Sequence, residues 1–546
     1  MHYFVPPLYQ TFKTIKMRNL FFSKFLALSI LLCSANLLTN AQAPSIEWQK
    51  TKGGAGDEYV YSSIIKLSDG NFLVCGATAS AFPGVHGDYD AFLAKLNPNG
   101  KTLWMKFYGG SGFDNFFNVM QYNDGSFIAV GTTNSNDGDV SGNHGGDHDG
   151  WVVKLSANGN LQWQKCYGGS GDDQLTSVTK GSGNTFVVAG FSTSNDGDVN
   201  ENHGDYDGWV VKSDKNGNIL WSKCIGGSSY DDIFGINKVA GNHYVATGGT
   251  ASNDGDISGN HGGDYDAYAI RLDDNGNLSW SKCYGGSAME FSNASTILSD
   301  GNICFTGVTQ SNDGDVSGYH GVDDPWTVKI NQITGALIWQ ICSGNATDGE
   351  VGFGITGTND GGVLVAGGGG LGHDAPGNVE AFKINANGNG QWSINIGGSG
   401  DDVATGVVET DRGDFILSCN TNSADGDVTK QHGEGDVWIV KLSADRSNHN
   451  HRVANNNFVS NNFSLNSFSN PFSNSTTISF TLSQSENVIL KVFDMNGRLI
   501  KTLTDNVFEE GEHQIEFNAE KINAGIYFLQ FQSGEIFQTE KLIVTK

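Results

Sequence analysis

Short apolar runs recur along most of the chain, and turns rich in Gly, Asn and Asp separate them. One unit opens at Gly168–Asp173 and continues with a mixed run, then with the apolar runs Phe186–Ala189, Trp209–Val211 and Ile219–Trp221. These runs have the length and residue types of short β-strands, and Asn216-Gly217 between the last two is typical of a hairpin turn. The unit therefore predicts four antiparallel strands.

This unit recurs about every 58 residues, a period just above that usual for propeller repeats. Its third run carries an aromatic residue seven times: Phe92, Trp151, Trp209, Tyr268, Trp326, Phe382 and Trp438. Its fourth run carries Trp seven times: Trp48, Trp104, Trp163, Trp221, Trp280, Trp339 and Trp392. The fourth-run series begins at Trp48, before the first third-run aromatic, and no fourth-run Trp follows Trp438. The strand at Trp48 should therefore be the fourth strand of the unit that contains Trp438. The sequence thus predicts an all-β fold, with residues 44–445 forming a closed seven-bladed β-propeller.

Three sequence elements of the repeat point to a known class of protein. The elements G-G-S-G-D-D, D-G-x-W-V-V-K and N-G-N-x-x-W-x-K-C resemble those of bacterial β-propeller repeat proteins, which are secreted or exposed at the cell surface. The resemblance covers residues 44–445. It implies the fold and little about activity, because propellers host many unrelated functions.

The N-terminal segment has the pattern of an export signal. Two basic residues precede the apolar run Phe25–Leu32, and Ala41-Gln42-Ala43 is typical of a signal peptidase site. We expect residues 1–43 to be the signal region, with synthesis starting at Met17. No later stretch is apolar for the roughly 18 residues that a membrane span requires, so we expect no transmembrane segment in the mature chain.

The pattern changes after residue 445. Residues 446–466 are rich in Asn, Ser and His, which predicts a flexible linker. Short alternating strands then follow over 467–546, and they predict a small C-terminal β-sandwich.

Four motifs mark this tail: N-P-F at 470–472, V-x-D-x-x-G-R within 492–498, A-G-I-Y-F at 524–528 and K-L-I-V at 541–544. Together they closely resemble the type A C-terminal sorting domain of the type IX (Por) secretion system. The resemblance implies a Gram-negative bacterium and recognition of the tail by the secretion translocon and a sortase. It also implies removal of the tail, with the protein released or attached to the outer-membrane surface. The alternative is an ordinary accessory β-domain.

Charge is concentrated in the repeats. The whole chain has a formal net charge of −27, and residues 44–447 hold 21 basic against 49 acidic residues. A domain this acidic should repel nucleic acid and anionic membranes, and it could attract cations or basic partners.

Seven cysteines remain after the predicted cleavage: Cys75, Cys166, Cys224, Cys283, Cys304, Cys342 and Cys419. Four of them occupy one repeat position, three residues after a Trp, and equivalent positions of neighbouring blades should lie too far apart for a disulfide. The other three fall inside apolar strand runs. We expect buried free thiols.

Long acidic loops between the second and third runs are candidate calcium sites. The candidate ligands are Asp137, Asp139, Ser141, Asp147 and Asp149 in the second unit, Asp254, Asp256, Ser258, Asp264 and Asp266 in the fourth, and Asp313, Asp315, Ser317 and Asp323 in the fifth. Oxygen donors at positions 1, 3 and 5 with Gly at 6 suit a loop that wraps Ca²⁺, although no Glu follows at position 12.

The alternative is structural, because Asp and Asn also form turns by accepting backbone N–H groups. A His-Gly pair recurs in these loops, and a histidine that appears once per blade is more often a hydrogen-bonding residue than a metal ligand. Loops between blades are acidic too, and both sets should crowd one rim of the propeller.

No motif outside the repeats supplies a nucleophile, a base or a metal in a defined role. The sequence therefore favours a non-catalytic binding or scaffold protein of the cell surface or the medium, with a glycan, a matrix component or another protein as ligand. The alternative is a secreted polysaccharide hydrolase or lyase, since carboxylate pairs are abundant.

Overall fold

The computed structural model describes residues 43–61, 64–344, 349–369, 377–443, 465–468, 472–482, 485–494, 498–509, 511–519, 522–533 and 536–545. Contacts divide the chain into two compact units, Met1–Asn450 and His451–Lys546. The predicted signal sequence and most of the predicted linker lie outside the described residues. None of the described residues belongs to a helix that is long and apolar enough to cross a membrane.

The described part of the first unit, residues 43–443, is called the propeller unit below. Its first strands are β1 (Ile46–Lys52), β2 (Glu58–Tyr59), β3 (Ile64–Lys66), β4 (Phe72–Thr78), β5 (Asp90–Leu96), β6 (Thr102–Tyr108), β7 (Asp114–Gln121), β8 (Phe127–Thr133), β9 (Asp149–Leu155), β10 (Leu161–Tyr167), β11 (Asp173–Lys180), β12 (Thr185–Ser192), β13 (Asp207–Asp214) and β14 (Ile219–Ile225). The next are β15 (Asp231–Val239), β16 (His243–Thr250), β17 (Asp266–Leu272), β18 (Leu278–Tyr284), β19 (Glu290–Ile297), β20 (Ile303–Thr309), β21 (Asp324–Ile330), β22 (Leu337–Cys342), β23 (Glu350–Gly357), β24 (Val363–Gly369), β25 (Val379–Ile384), β26 (Gly390–Ile396), β27 (Asp402–Glu409), β28 (Phe415–Thr421) and β29 (Asp436–Leu442).

These strands form antiparallel sheets of consecutive neighbours. Sheet 1 contains β2 to β6, sheets 2 to 6 each take the next four strands in chain order, and sheet 7 contains β27, β28, β29 and β1. In sheet 1 both β2 and β3 pair with β4. The all-β prediction is confirmed, and four-stranded sheets of this kind are the blades of a propeller-like fold.

Burial follows the strand order within each sheet. All residues of β8 and β9, for example, are buried, whereas the last strand of that sheet, β10, begins with exposed residues. The middle strands therefore read as continuous apolar runs, because neighbouring sheets cover both of their faces. The third-strand aromatics Trp151, Trp209, Trp326 and Trp438 are among the largest fully buried side chains.

The first strand of the unit pairs with its last. β1 runs antiparallel to β29, with Thr51 opposite Trp438 and Trp48 opposite Lys441. This is the pairing that the offset between the two aromatic series predicts. It places β1 where the fourth strand of sheet 7 would otherwise be missing.

One backbone hydrogen bond links each sheet to the next. The N–H that opens a first strand donates to a carbonyl just before the third strand of the preceding sheet, as Asp231 N does to Tyr206 O at 2.8 Å. The series is Asp114 to Tyr89, Asp173 to His148, Asp231 to Tyr206, Glu290 to Tyr265, Glu350 to Asp323, Asp402 to Gly377 and Glu58 to Gly435. The last bond joins sheet 1 to sheet 7. The series also shows that the first and third strands of the sheets begin at the same end of the propeller unit. This end is called the loop end below.

The second unit consists of two sheets around one core. Its strands are β30 (Leu465–Phe468), β31 (Ser475–Leu482), β32 (Glu486–Asp494), β33 (Leu499–Phe508), β34 (Gly511–Asn518), β35 (Gly525–Ser533) and β36 (Ile536–Val544). One sheet has the order β30-β31-β34 and the other the order β33-β32-β35-β36. Ile478 and Phe480 of the first sheet and Leu490, Leu529 and Phe531 of the second are buried in one cluster.

Candidate functional site

A buried aspartate opens the third strand of six sheets, and a histidine in the preceding loop holds it. In sheet 3, His203 donates its backbone N–H to Asp207 Oδ2 at 2.9 Å, and its Nδ1 lies 2.6 Å from the same oxygen. The six pairs are His86–Asp90, His144–Asp149, His203–Asp207, His261–Asp266, His320–Asp324 and His432–Asp436. The expectation of a hydrogen-bonding histidine once per blade is confirmed for these six sheets.

A second buried acid opens the first strand of every sheet: Glu58, Asp114, Asp173, Asp231, Glu290, Glu350 and Asp402. In sheet 4, Asp231 Oδ2 accepts the backbone N–H of Gly227 and the hydroxyl of Ser252, both at 2.7 Å. Its Oδ1 accepts the hydroxyl of Thr250. The Gly-Gly of the repeat thus supplies an N–H to this acid, and hydroxyls come from the Thr that ends the second strand and from the Ser that lies two residues later.

The two acids of neighbouring sheets face the same glycine. A Cβ atom placed on Gly226 would lie 2.7 Å from both Asp207 Oδ1 and Asp231 Oδ2, so only glycine fits between them. That Asp207 oxygen is buried and has no hydrogen-bond partner in the part of the chain that the structure describes. The same holds for Oδ1 of Asp149, Asp266, Asp324 and Asp436.

Burial disfavours the charged form of these carboxyls. It raises the pKa of Asp231 to about 6, against the hydrogen bonds from Thr250, Gly227 and Ser252, which lower it. Burial also raises the pKa values of Asp149 and Asp266 to about 6, although each is held by a histidine. These acids therefore lie buried between sheets, where at least one oxygen of each accepts hydrogen bonds from the protein.

The candidate calcium ligands have diverse partners in the structure. Asp137 Oδ1 accepts the N–H of Ser111 at 2.7 Å, across the interface between sheets 1 and 2. The first-position aspartates Asp254 and Asp313 do the same with Ser228 and Ser287. So do Asp196 and Asp425, in loops that lack the full calcium pattern. These backbone hydrogen bonds lower the pKa of Asp137, Asp254 and Asp313.

The remaining candidates are divided among other contacts. Asp149 and Asp266 belong to the histidine pairs. Ser141 and Ser317 accept the side-chain amides of Gln164 and Gln340, and Asp323 accepts that of Gln310. Asp147, Asp264 and Ser258 are exposed, and Asp139, Asp256 and Asp315 are half-buried. Within the described ranges, no three His, Cys, Asp or Glu side chains are grouped to hold a metal. Calcium binding by these loops stays a prediction.

The loops have a packing role that the sequence did not reveal. After each Asp-Gly-Asp, a branched apolar side chain is fully or almost fully buried: Val140, Val199, Ile257, Val316 and Val428. The acidic turn therefore anchors the loop by placing one apolar side chain in the core. The expectation of a crowded acidic rim also needs correction, because Asp114, Asp173, Asp231, Asp232 and Asp402 are buried and do not lie on it.

Aromatic side chains gather at the loop end over sheets 1 to 5. One run joins Tyr59, Tyr89, Phe113 and His148, with ring centroids 5.6 to 6.2 Å apart. A second run joins Tyr230, Tyr206, Phe191, Phe234, Phe291 and Tyr265, with centroids 4.7 to 6.1 Å apart. These ten residues, together with Asp172, are called the aromatic face below.

Asp172 connects the two runs. His148 Nδ1 lies 3.0 Å from Asp172 Oδ1, and the Tyr206 hydroxyl donates to Asp172 Oδ2 at 3.0 Å. Tyr89 donates its hydroxyl to Asp57 Oδ2 at 3.5 Å. Most of these aromatic side chains are half-buried, so part of each stays open to solvent. The aromatic face is thus a continuous, pre-positioned surface.

One buried carboxyl beside this face also departs from the repeat. Asp232 occupies a position at which other sheets have Asn115, Gln174 or an apolar residue, and its Oδ1 accepts the N–H of Gly249 at 3.1 Å. Burial is the main cause that raises the pKa of Asp232 to about 8. Asn115 Oδ1 accepts the N–H of Thr132 in the same way. A protonated Asp232 can therefore replace an amide there.

Sequence reasoning missed the aromatic face and the facing acid pairs. A signal for the face existed at two positions that interrupt the repeat, because Phe113 and Tyr230 stand where other units have Asp57, Asp172 and Asp401. The acid pairs could not be read from the chain, since their members come from neighbouring units and only the fold brings them together.

Comparison with known proteins identifies the tail. A family model described as "Secretion system C-terminal sorting domain" matches residues 466–545. No curated protein matches the chain in sequence.

Solved structures resemble the chain only distantly. They include PorZ, a bacterial surface component of the type IX secretion system of Porphyromonas gingivalis, at 12% identity over 87% of this chain and 68% of that one, with a TM-score of 0.33. A puromycin hydrolase mutant matches at 10% identity over 78% of this chain and 59% of its own, with a TM-score of 0.40. A Synechocystis apocarotenoid oxygenase mutant matches at 13% identity over 74% and 95%, with a TM-score of 0.35. At these scores the likenesses say nothing about the activity of this chain.

The matched tail has two consequences. The chain carries a C-terminal sorting domain of the type IX secretion system, which that system recognises. The protein is therefore secreted to the cell surface or the extracellular space.

Proposed function

We propose that this secreted protein is a non-catalytic binding or scaffold protein, and that it takes its ligand at the aromatic face. The observation that carries the proposal is the continuous aromatic surface at the loop end, in which ten rings lie in two joined runs. The repeated strand-opening carboxylates are buried between sheets, whereas most aromatic side chains at the loop end are partly exposed to solvent. Aromatic side chains give large contact areas at a low cost in conformational entropy, which suits a binding surface.

A glycan, a matrix component or another protein would fit such a surface. The proposal is tested by measuring binding of the secreted protein to immobilised polysaccharides and cell-surface proteins. Tyr206→Leu should weaken binding, because Tyr206 stacks on Tyr230 and holds Asp172. The matched control is Phe107→Leu, which alters an aromatic pair with Phe82 outside the aromatic face. Equal loss of binding in both variants, or in neither, would contradict the location of the site.

A second candidate function is cleavage of a polysaccharide by hydrolysis or elimination. The raised pKa of buried Asp232 is the observation that favours it. A carboxyl whose pKa is raised to about 8 stays protonated at neutral pH, and such a group can donate a proton to a leaving group. New reducing ends or unsaturated products, formed by the natural protein and lost in Asp232→Asn, would establish this function. Binding without products would exclude it for the polysaccharides tested.

We further propose that the sorting domain is removed by a sortase after export, and that the mature protein is then released or attached at the outer-membrane surface. Support comes from the matched tail and from its folding as a separate compact unit. Mass spectrometry of the extracellular protein tests this: a mature form that still contains residues 525–544 would contradict removal.

A further inference from the structure

Carboxylates dominate the loop end. The loops that form it lie between the sheets and between the second and third strands, and Lys430 is their single basic residue in the sequence. Apart from the histidines and Lys430, every charged residue in those loops is Asp or Glu. Their negative charge is therefore not balanced by lysine or arginine from the same loops.

The opposite end of the propeller unit differs. There, lysines from the third strands pair with acids of the turns: Lys95 with Asp69, Lys212 with Asp274, Lys329 with Asp300, Lys383 with Asp360 and Lys441 with Asp414. The N–O distances are 2.6 to 2.9 Å. Five third-strand lysines thus neutralise acids at the opposite end, whereas at the loop end the lysine partner of an acid in the described residues is Lys223, which lies 3.4 Å from Glu201.

The tyrosines of the aromatic face stand in this negative field. Burial and then nearby carboxylates raise the pKa values of Tyr89, Tyr206, Tyr230 and Tyr265. The charged groups involved are carboxylates, Asp172 and Asp205 among them. Tyr206 and Tyr89 also donate their hydroxyls to Asp172 and Asp57, and such donation enriches the electron density of the ring.

One oxygen here still lacks a partner. Asp57 Oδ1 is buried and accepts no hydrogen bond from any residue that the structure describes. It lies on the carboxylate whose other oxygen faces Tyr89. An acceptor left without a donor at the edge of an aromatic cluster is suited to a donor that arrives with a ligand.

We infer that the aromatic face binds a lysine- or arginine-bearing segment of a partner protein. Ammonium and guanidinium groups are attracted to electron-rich aromatic faces, and Asp57 and Asp172 supply acceptors for their N–H groups. The inference rests on the proposed function and names the ligand chemistry of that same surface. A neutral glycan fits less well, because the Tyr89 and Tyr206 hydroxyls are already donated to carboxylates.

The test measures binding of a hexalysine peptide to the secreted protein by calorimetry. We expect binding at about 20 mM salt and a several-fold loss at about 300 mM, since screening weakens interactions between exposed charges. Tyr230→Leu should raise Kd roughly three- to thirtyfold, as expected for loss of one cation–π contact. Asp172→Asn should also raise Kd. Asp69→Asn removes the same charge at the opposite end and should leave Kd unchanged.

Thermal melting of each variant shows whether it is folded. Because Tyr230→Leu, Asp172→Asn and Asp69→Asn change different positions, the loss of one variant to misfolding still leaves two to compare. Hexalysine binding that is absent, or that Asp69→Asn weakens as much as Asp172→Asn, would overturn the inference. Binding of neutral cellohexaose that is lost in Tyr206→Leu would also overturn it, while leaving the proposed function standing. If neither probe binds and no cell-surface ligand is lost in Tyr206→Leu, both proposals fail.

Discussion

At the scale of single residues, the interface between sheets 3 and 4 depends on two buried acids and the glycine between them. Oxygens of Asp207 and Asp231 occupy the space where a Gly226 side chain would be. Gly226→Ala should therefore lower the free energy of unfolding by about 1–3 kcal/mol through overpacking. Urea denaturation measures this. The control is Gly390→Ala, since a Cβ at Gly390 meets no atom within 4 Å; equal effects would show that the acid pair does not set the cost.

Asp137 separates the two interpretations of the acidic loops. As an acceptor for Ser111 N–H it should be replaceable by Asn, whereas Asp137→Ala should lower the free energy of unfolding, as Asp196→Ala should in the next sheet. Thermal melts with Ca²⁺ and with chelator check the alternative. A calcium-dependent rise in Tm that becomes smaller in Asp137→Asn would establish the calcium site predicted for the second unit.

Buried carboxyls make stability depend on pH in a definite direction. Burial raises the pKa of Asp231 to about 6 and that of Asp232 to about 8, above their unfolded values near 4. Their contribution to stability is present at low pH and is lost as pH rises through those values. We expect the free energy of unfolding to fall between about pH 4 and pH 8, by at most about 1.4 kcal/mol per pH unit for each group.

Asp232→Asn should flatten the upper part of this profile, because an amide does not titrate. Asp147→Asn, which alters an exposed loop acid, should leave the profile unchanged. The free energy of unfolding from denaturant curves at several pH values gives the answer, and a profile for Asp232→Asn that matches the natural protein would contradict the assignment.

At the scale of strands, the sequence predicted the fold well because the repeat carries its own evidence. Seven copies of a third-strand aromatic and seven of a fourth-strand Trp gave the strand order, and their offset gave the pairing of β1 with β29. The site was much less predictable. Asp207 and Asp231 come from different units, and the Asp-Gly-Asp turns have the same spacing whether they bind an ion or accept backbone N–H groups.

β1 also supplies a contact that sheets 2, 3 and 5 take from their own fourth strand. Gln49 accepts the indole N–H of buried Trp438 at 2.6 Å, as Gln164 accepts that of Trp151 at 3.0 Å. Gln49→Leu and Gln164→Leu should each leave a buried indole donor unpaired and cost about 1–3 kcal/mol. Chemical denaturation compares the two. A much smaller effect for Gln49→Leu would show that β1 is not an equal member of sheet 7.

At the scale of the whole chain, the propeller unit and the tail are separate compact units with their own cores. Deleting residues 467–546 should therefore leave the Tm of the propeller unit unchanged, because its buried clusters contain no residue of the tail. Export should fail, since the sorting domain is what the secretion system recognises. Cell fractionation with an antibody against the propeller unit should find the truncated protein in the periplasm. A fusion of residues 446–546 to an unrelated exported protein is the matched control and should reach the surface or the medium. Truncated protein outside the cell would show that export does not depend on the tail, and a lowered Tm would show that the two units stabilise each other.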